Sequence, residues 1–250
     1  MIKRTGWLLP ISLLLVAASA AVYGVHYLLF RDGYHIFFYM VLDIAFLFLN
    51  VLVVIIFIER LLAQREKRTM FRKLNMVIGA FFSEVGLHLI RKFSSFVDNA
   101  ASLKGALDIQ PQWSRSDFRK AMAAAQSFSY EMKIHAAGLS ELKSLLTEKR
   151  SFLVTLLENP NLLEHERFTD LLWAVFHLSE ELSFREGNFE DLPSADHKHL
   201  MGDAKRAYSH ITVEWLAYVE HLKGSYPFLF SLAARINPLG ANPSPYVIGQ

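Results

Sequence analysis

The sequence predicts an all-α membrane protein in which a two-helix transmembrane hairpin is followed by a cytoplasmic multi-helix bundle. Three observations carry that expectation. Of the 250 residues, 52% are hydrophobic and only 20% charged, too apolar for an average soluble domain or a disordered chain. The excess is concentrated at the start, where Thr5 to Phe30 carries no formal charge and Gly33 to Ile58 carries only Asp43. Farther on, apolar residues recur at spacings of three and four, and no stretch alternates like a strand with turn chemistry around it.

The two almost uncharged runs predict spans at about 7–30 and 34–58. Each exceeds the roughly 20 residues a helix needs to cross about 30 Å of hydrocarbon. Arg31-Asp32-Gly33 between them is polar and carries a glycine, enough for a tight turn. Orientation follows from flanking cations, which favour the cytoplasmic side. Lys3 and Arg4 precede the first span, Arg31 alone marks the connection, and Arg60, Arg65, Lys67, Arg68, Arg72 and Lys73 follow the second. Both termini are therefore expected in the cytoplasm of an inner-membrane protein. A rival reading makes the N-terminus a cleaved leader ending near Ala18-Ser19-Ala20; the second span keeps its direction in either case.

Polar residues within the spans are spaced by sevens: Ser12, Ser19 and His26 in the first, Asp43 and Asn50 in the second. Each set occupies one helix face, and in an antiparallel hairpin the faces come level. A carboxylate in lipid costs at least about 2.5 to 3.5 kcal/mol, so Asp43 needs a partner, a proton or water. Helix–helix hydrogen bonding, within the hairpin or between protomers, is the favoured reading. An oligomeric ion or proton pathway lined by Asp43 and Asn50 is the alternative.

Residues 60–98 form the next division, a basic collar and a long amphipathic helix. The collar, 60–73, holds six cations and one anion, whereas the residues beyond it hold 17 cations and 20 anions. Directly after a span, such a collar suits anionic lipid headgroups, each nearby cation contributing about 1 kcal/mol. Nucleic acid is a poor fit, since no basic face recurs downstream. From Phe71 to Phe96 a helix is expected, with Leu74, Val77, Ile78, Phe81, Phe82, Val85, Leu89 and Phe93 on its apolar side. Gly79 and Gly86 would let another helix approach closely.

Residues 99–236 are expected to form the bundle, and 237–250, rich in proline, an extended tail. Cap and breaker residues divide the bundle. A loop covers Asp98 to Trp113, with a helical piece at Ala100 to Leu107. Ser116 is expected to cap a helix reaching His135 or Ala137. Ser140 to Glu158 forms the next, ended by Asn159-Pro160-Asn161. Leu162 to Arg185 follows, then Ser194 to Lys223, and a short last helix opens at Tyr226-Pro227.

Ten histidines give several His/carboxylate pairs one helical turn apart: Glu84 with His88, His177 with Glu181, and His210 with Glu214. Such pairs place imidazole and carboxylate on one face, as metal sites in bundles require. Intrahelical ion pairs are the plainer explanation. His177, Glu181, His210 and Glu214 are the first metal candidates, followed by Glu84 and His88, and no particular cofactor is implied. His197 and His199 are expected to belong to a solvated helix start. The paired Glu-x-x-His motifs of di-iron bundles, a phosphate-binding glycine loop, a Gly-x-Ser-x-Gly elbow and the second histidine of a zinc-protease helix are missing. With no cysteine, thiol catalysis, disulfides and thiolate metal sites are excluded. The sequence therefore favours a membrane-anchored bundle acting through protein contacts, as a homo-oligomeric scaffold or assembly subunit, over an enzyme. A His/carboxylate metal protein is the alternative.

Overall fold

The computed structural model describes residues 8–160, 162 and 165–246, with the side chains of 8, 9, 67–69, 71 and 72 outside the description. Among the described residues the fold is all-helical, apart from one isolated antiparallel bridge between Val97 and Met132. The chain divides into two compact units at Lys67/Arg68.

The first unit contains α1 (Leu8–Phe30) and the beginning of α2 (Gly33–Phe81). Pro10 lies in the first turn of α1, where a missing N–H costs little. The connection differs from the expected glycine turn. Arg31 takes the left-handed conformation (φ 49°), normally a cost of roughly 1–2 kcal/mol, and its N–H donates to the Tyr27 carbonyl at 2.8 Å. Gly33 instead opens α2. Asp32 caps that helix, its Oδ1 accepting from the amides of Tyr34 and His35 at 3.0 and 3.2 Å. From residue 10 to 66 every side chain is exposed except the half-buried His26, Asp32 and Ile36. The two stretches Pro10–Phe30 and Gly33–Glu66 are long and apolar enough to cross a membrane.

The second unit is built on α8 (Glu166–Phe184) and α9 (Ser194–Ser225). Helix α9 packs most extensively on α8, then on α5 (Arg115–Ser127), α10 (Pro227–Arg235) and α3 (Leu87–Ser94). Its stripe Leu200, Ala204, Ala207, Ile211, Trp215 and Leu222 is buried, as are Phe168, Leu171, Leu172, Val175 and Leu182 of α8.

The apolar helix after the collar is interrupted by a π-helical turn, Phe82–Gly86, before α3. A π turn holds more residues per turn than an α turn, so the consecutive Phe81 and Phe82 are both fully buried. Their rings diverge to different helices. Phe81 meets Phe168 of α8 edge-on at 5.3 Å, while Phe82 meets Trp215 at 5.1 Å and stacks on Tyr218 at 5.4 Å, both on α9. A Cβ on Gly79 would lie 2.6 Å from the Tyr218 hydroxyl, so glycine there permits the close approach of α9. Lys73–Ser94 is also long and apolar enough to span a membrane, but its apolar face lies in this core.

Helix α4 (Ala100–Leu107) is the helical piece expected within the loop. Three bundle boundaries depart from expectation. Ser114, not Ser116, caps α5, in a reciprocal box with Asp117. Helix α5 stops at Ser127, and the chain then runs extended: the Asp98 amide donates to Glu131 O at 2.9 Å and the Lys133 amide to Phe96 O at 2.8 Å. The expected helix from Ser140 to Glu158 is two, α6 (Ala136–Glu148) and α7 (Arg150–Leu157), broken at Lys149.

The beginning of the tail is tied down rather than extended. Asn237 is buried, accepting from Trp215 Nε1 at 2.9 Å and donating to Leu107 O at 2.8 Å. The Ser244 amide returns to Arg235 O at 2.8 Å. Residues 247–250 lie outside the described residues.

Candidate functional site

A group of ionisable side chains lies where α8 packs on α9. Helical spacing puts His177, Glu181 and Arg185 along one line of α8, and His199, Asp203 and Arg206 along the facing line of α9. His199 Nε2 lies 3.3 Å and His177 Nε2 3.5 Å from Asp203 Oδ2. Glu181 completes the ring, with Oε1 3.9 Å from His177 Nε2 and Oε2 3.5 Å from His199 Nε2. The ligating atoms of His177, His199 and Asp203 all fall within 4.8 Å of one another, near enough to share one cation.

The two carboxylates differ in setting. Asp203 is buried at 3% exposure; its Oδ1 accepts from Arg206 Nη1 at 3.1 Å, while its Oδ2 accepts no hydrogen bond. Glu181 is held by Arg185, whose Nη1 donates to Oε2 at 2.6 Å and whose Nη2 reaches Asp196 at 3.1 Å. That charged hydrogen bond holds the Glu181 carboxyl below its ordinary value, against a smaller opposing effect of partial burial. Both histidine side chains are about half exposed, so solvent reaches the cluster from one side.

His210 and Glu214 do not join this group. Glu214 is buried at 2% beneath the start of α8, its Oε1 3.7 Å from His165 Nε2 and its Oε2 3.6 Å from Arg167 Nε. Burial pushes its carboxyl up, and the charges of His165 and Arg167 pull the other way. Arg167 also lines an open cleft of about 560 Å³ with Arg115, Glu220, His221 and Lys223. Glu84 pairs with Lys149 at 3.4 Å, and His88 is exposed. His199 is exposed near the start of α9, in keeping with a solvated helix start, and its ring also lies over Asp203. The pair His199/Asp203 has the same four-residue spacing as His177/Glu181, so its signal was in the sequence; the join between the pairs depends on helix packing.

In the first unit, Ser12, Ser19, Asp43 and Asn50 are exposed, and no hydrogen bond joins the two polar stripes among the described residues. His26 packs its ring 4.8 Å from Phe30. Of the collar cations, Arg60, Arg65 and Lys73 are exposed, while the side chains of Lys67, Arg68 and Arg72 lie outside the described residues.

Two family descriptions match the chain: "MJ1433, N-terminal helical domain" over residues 3–62 and "Uncharacterized protein MJ1433, C-terminal helical domain" over 70–235. The chain belongs to the MJ1433 family. Uncharacterized protein MJ1433 of Methanocaldococcus jannaschii is 38% identical over 232 residues, covering 93% of both chains. No solved structure matches. By residue number, the α8/α9 cluster of this MJ1433-family chain falls wholly within the C-terminal helical domain.

Proposed function

We propose that this MJ1433-family protein is a membrane-anchored helical bundle acting through protein contacts, with both termini and the bundle in the cytoplasm and the turn at Arg31–Asp32 outside. The observation that carries the reading is that none of the apolar residues in Pro10–Phe30 and Gly33–Glu66 is buried. Water would have to solvate two runs of Leu, Val, Ile and Phe at about 25 cal/mol per Å², and hydrocarbon removes that cost. Six cations from Arg60 to Lys73 suit the anionic headgroups beside the emerging helix.

Homo-oligomeric assembly is the second part of the proposal. Asp43 and Asn50 are exposed on a helix in lipid, where polar side chains are stabilised by a partner helix. On the bundle, Phe184, Met76 and Phe228 are 81%, 73% and 72% exposed, and large uncovered apolar side chains favour protein contact.

The absence of native cysteine makes the topology directly testable. Single variants Arg31→Cys and Ser244→Cys are treated in intact cells with a membrane-impermeant maleimide. Membrane-fraction protein labelled at residue 31 from outside, and at 244 only after lysis, is expected. Recovery in the soluble fraction, or reversed labelling, overturns the anchor. For assembly, mass photometry in detergent should give a multimer that Asp43→Ala weakens; a strictly monomeric wild type overturns that part.

A further inference from the structure

We propose that His177, His199 and Asp203 form a zinc-class divalent metal site bridging α8 and α9, with Glu181 held beside the open coordination position. The proposal is independent of the membrane anchor.

The first ground is the state of Asp203. Its Oδ2 is buried and accepts no hydrogen bond, although two imidazole nitrogens stand 3.3 and 3.5 Å away. A buried carboxylate oxygen that accepts no hydrogen bond is costly, and a cation between these atoms removes that cost. The distances fit such an ion. Zinc bonds of about 2.0–2.1 Å to imidazole and carboxylate, disposed tetrahedrally, put neighbouring ligand atoms about 3.3–3.4 Å apart. The two imidazole–carboxylate separations lie close to those edges and exceed ordinary hydrogen-bond lengths, and the third pair of donor atoms lies within 4.8 Å.

The second ground is support. The α8/α9 pair is the most extensive helix contact in the bundle, so the donors sit on rigid elements. Arg206 occupies Asp203 Oδ1 at 3.1 Å, which orients the carboxylate and leaves Oδ2 for the ion, as outer partners of metal ligands do. Arg185 similarly fixes Glu181 at 2.6 Å. Two imidazoles and a carboxylate, with no thiolate, suit zinc and similar divalent transition metals over soft monovalent copper. Three protein ligands leave a fourth position for water or an anionic donor, the pattern of an open rather than a closed site. Asp203, Glu181 and Asp196 supply three negative charges at the cluster and Arg206 and Arg185 two positive ones, which leaves one net negative charge toward a dication.

The test uses the full chain in detergent, stripped by a chelator and dialysed, then titrated with zinc against a chromophoric competitor and separately with cobalt. One saturable equivalent of zinc and the visible absorption of tetrahedral cobalt are expected. Because His177 and His199 are half exposed, His177→Ala and His199→Ala should retain the wild-type helical circular dichroism. Each should lose more than about 100-fold in affinity, whereas Arg206→Gln, which removes only the orienting partner, should lose about 10- to 100-fold. His88→Ala should bind like wild type. Absence of saturable binding by folded wild type would mean that the imidazoles serve only as ion-pair partners of the carboxylates, and overturns the site. So does zinc binding that survives unchanged in the folded His177→Ala and His199→Ala variants.

Discussion

His177–Glu181 and His210–Glu214 have the same spacing, yet the bundle treats them oppositely. Glu181 lies at the rim of the α8/α9 seam, where Arg185 donates to it and holds its carboxyl down. Glu214 lies beneath the beginning of α8, where loss of water pushes its carboxyl up. Their histidines diverge as well: His177 turns toward Asp203 across the helix interface, while the imidazole over Glu214 is His165, not His210. Local spacing fixes which residues share a helix face, but burial and the neighbouring helix decide whether the pair becomes a solvent-facing cluster or a buried charge.

The contrast breaks first at the histidines. His165 caps α8, its Nδ1 accepting from the Phe168 amide at 3.2 Å, and also covers the Glu214 carboxylate. His165→Ala should therefore destabilise by about 2–4 kcal/mol, combining a lost cap with a less compensated buried charge. His177→Ala, at a half-exposed position, should change stability by less than about 0.5 kcal/mol in metal-free protein. Chemical denaturation followed by circular dichroism separates them, and equal losses would erase the distinction.

Next come the opposite pH slopes. Glu214 has a folded value above its ordinary 4.5, so the native state binds more protons there than the unfolded chain. Its contribution is fully present at acid pH and is lost as pH rises from about 4.5 through the raised folded value. Thermal unfolding of Glu214→Gln should lack that component of the decline, and superimposable wild-type and variant pH profiles would refute it.

Glu181 works the other way, with a smaller effect because it is partly exposed. Its folded value lies below 4.5, so its contribution is present above 4.5 and is lost as pH falls through the lowered folded value. With chelator present, Arg185→Gln should reduce that acid loss, a difference below about 1 kcal/mol after solvent screening. The smallest expectation concerns His88: His88→Ala should leave the melting temperature within the shift of about 0.5 kcal/mol usual for exposed substitutions.

The helical class was legible because two long, almost uncharged runs and several capped amphipathic stretches are local features. Pro193 before Ser194 and Pro227 after Tyr226 marked helix starts accurately for the same reason. The boundary at Ser114 was also readable, since Ser-x-x-Asp is a capping pattern, but Ser116 offered a competing cap two residues on. The extended run after Ser127 was not readable locally, because its backbone hydrogen bonds go to Phe96 and Asp98, far back in the sequence. The candidate site divides similarly. His177 with Glu181 is visible in one helix; its union with His199 and Asp203 requires the axial register of α8 against α9.

The wide turn at Phe82–Gly86 has a consequence for chain length. It amounts to a regular helix that has accommodated one surplus residue, with the misfit absorbed where two aromatic rings share the work of reaching α8 and α9. Removing Ser83, which is exposed, should restore α-helical geometry and rotate the turn that carries Phe81 and Phe82 by about 100° relative to α3. Phe81 and Phe82 would then no longer both face inward. The segment thus sets the angular phase between the apolar helix and the rest of the bundle, and a shift in that phase should be more damaging than the loss of a solvent-facing serine side chain alone.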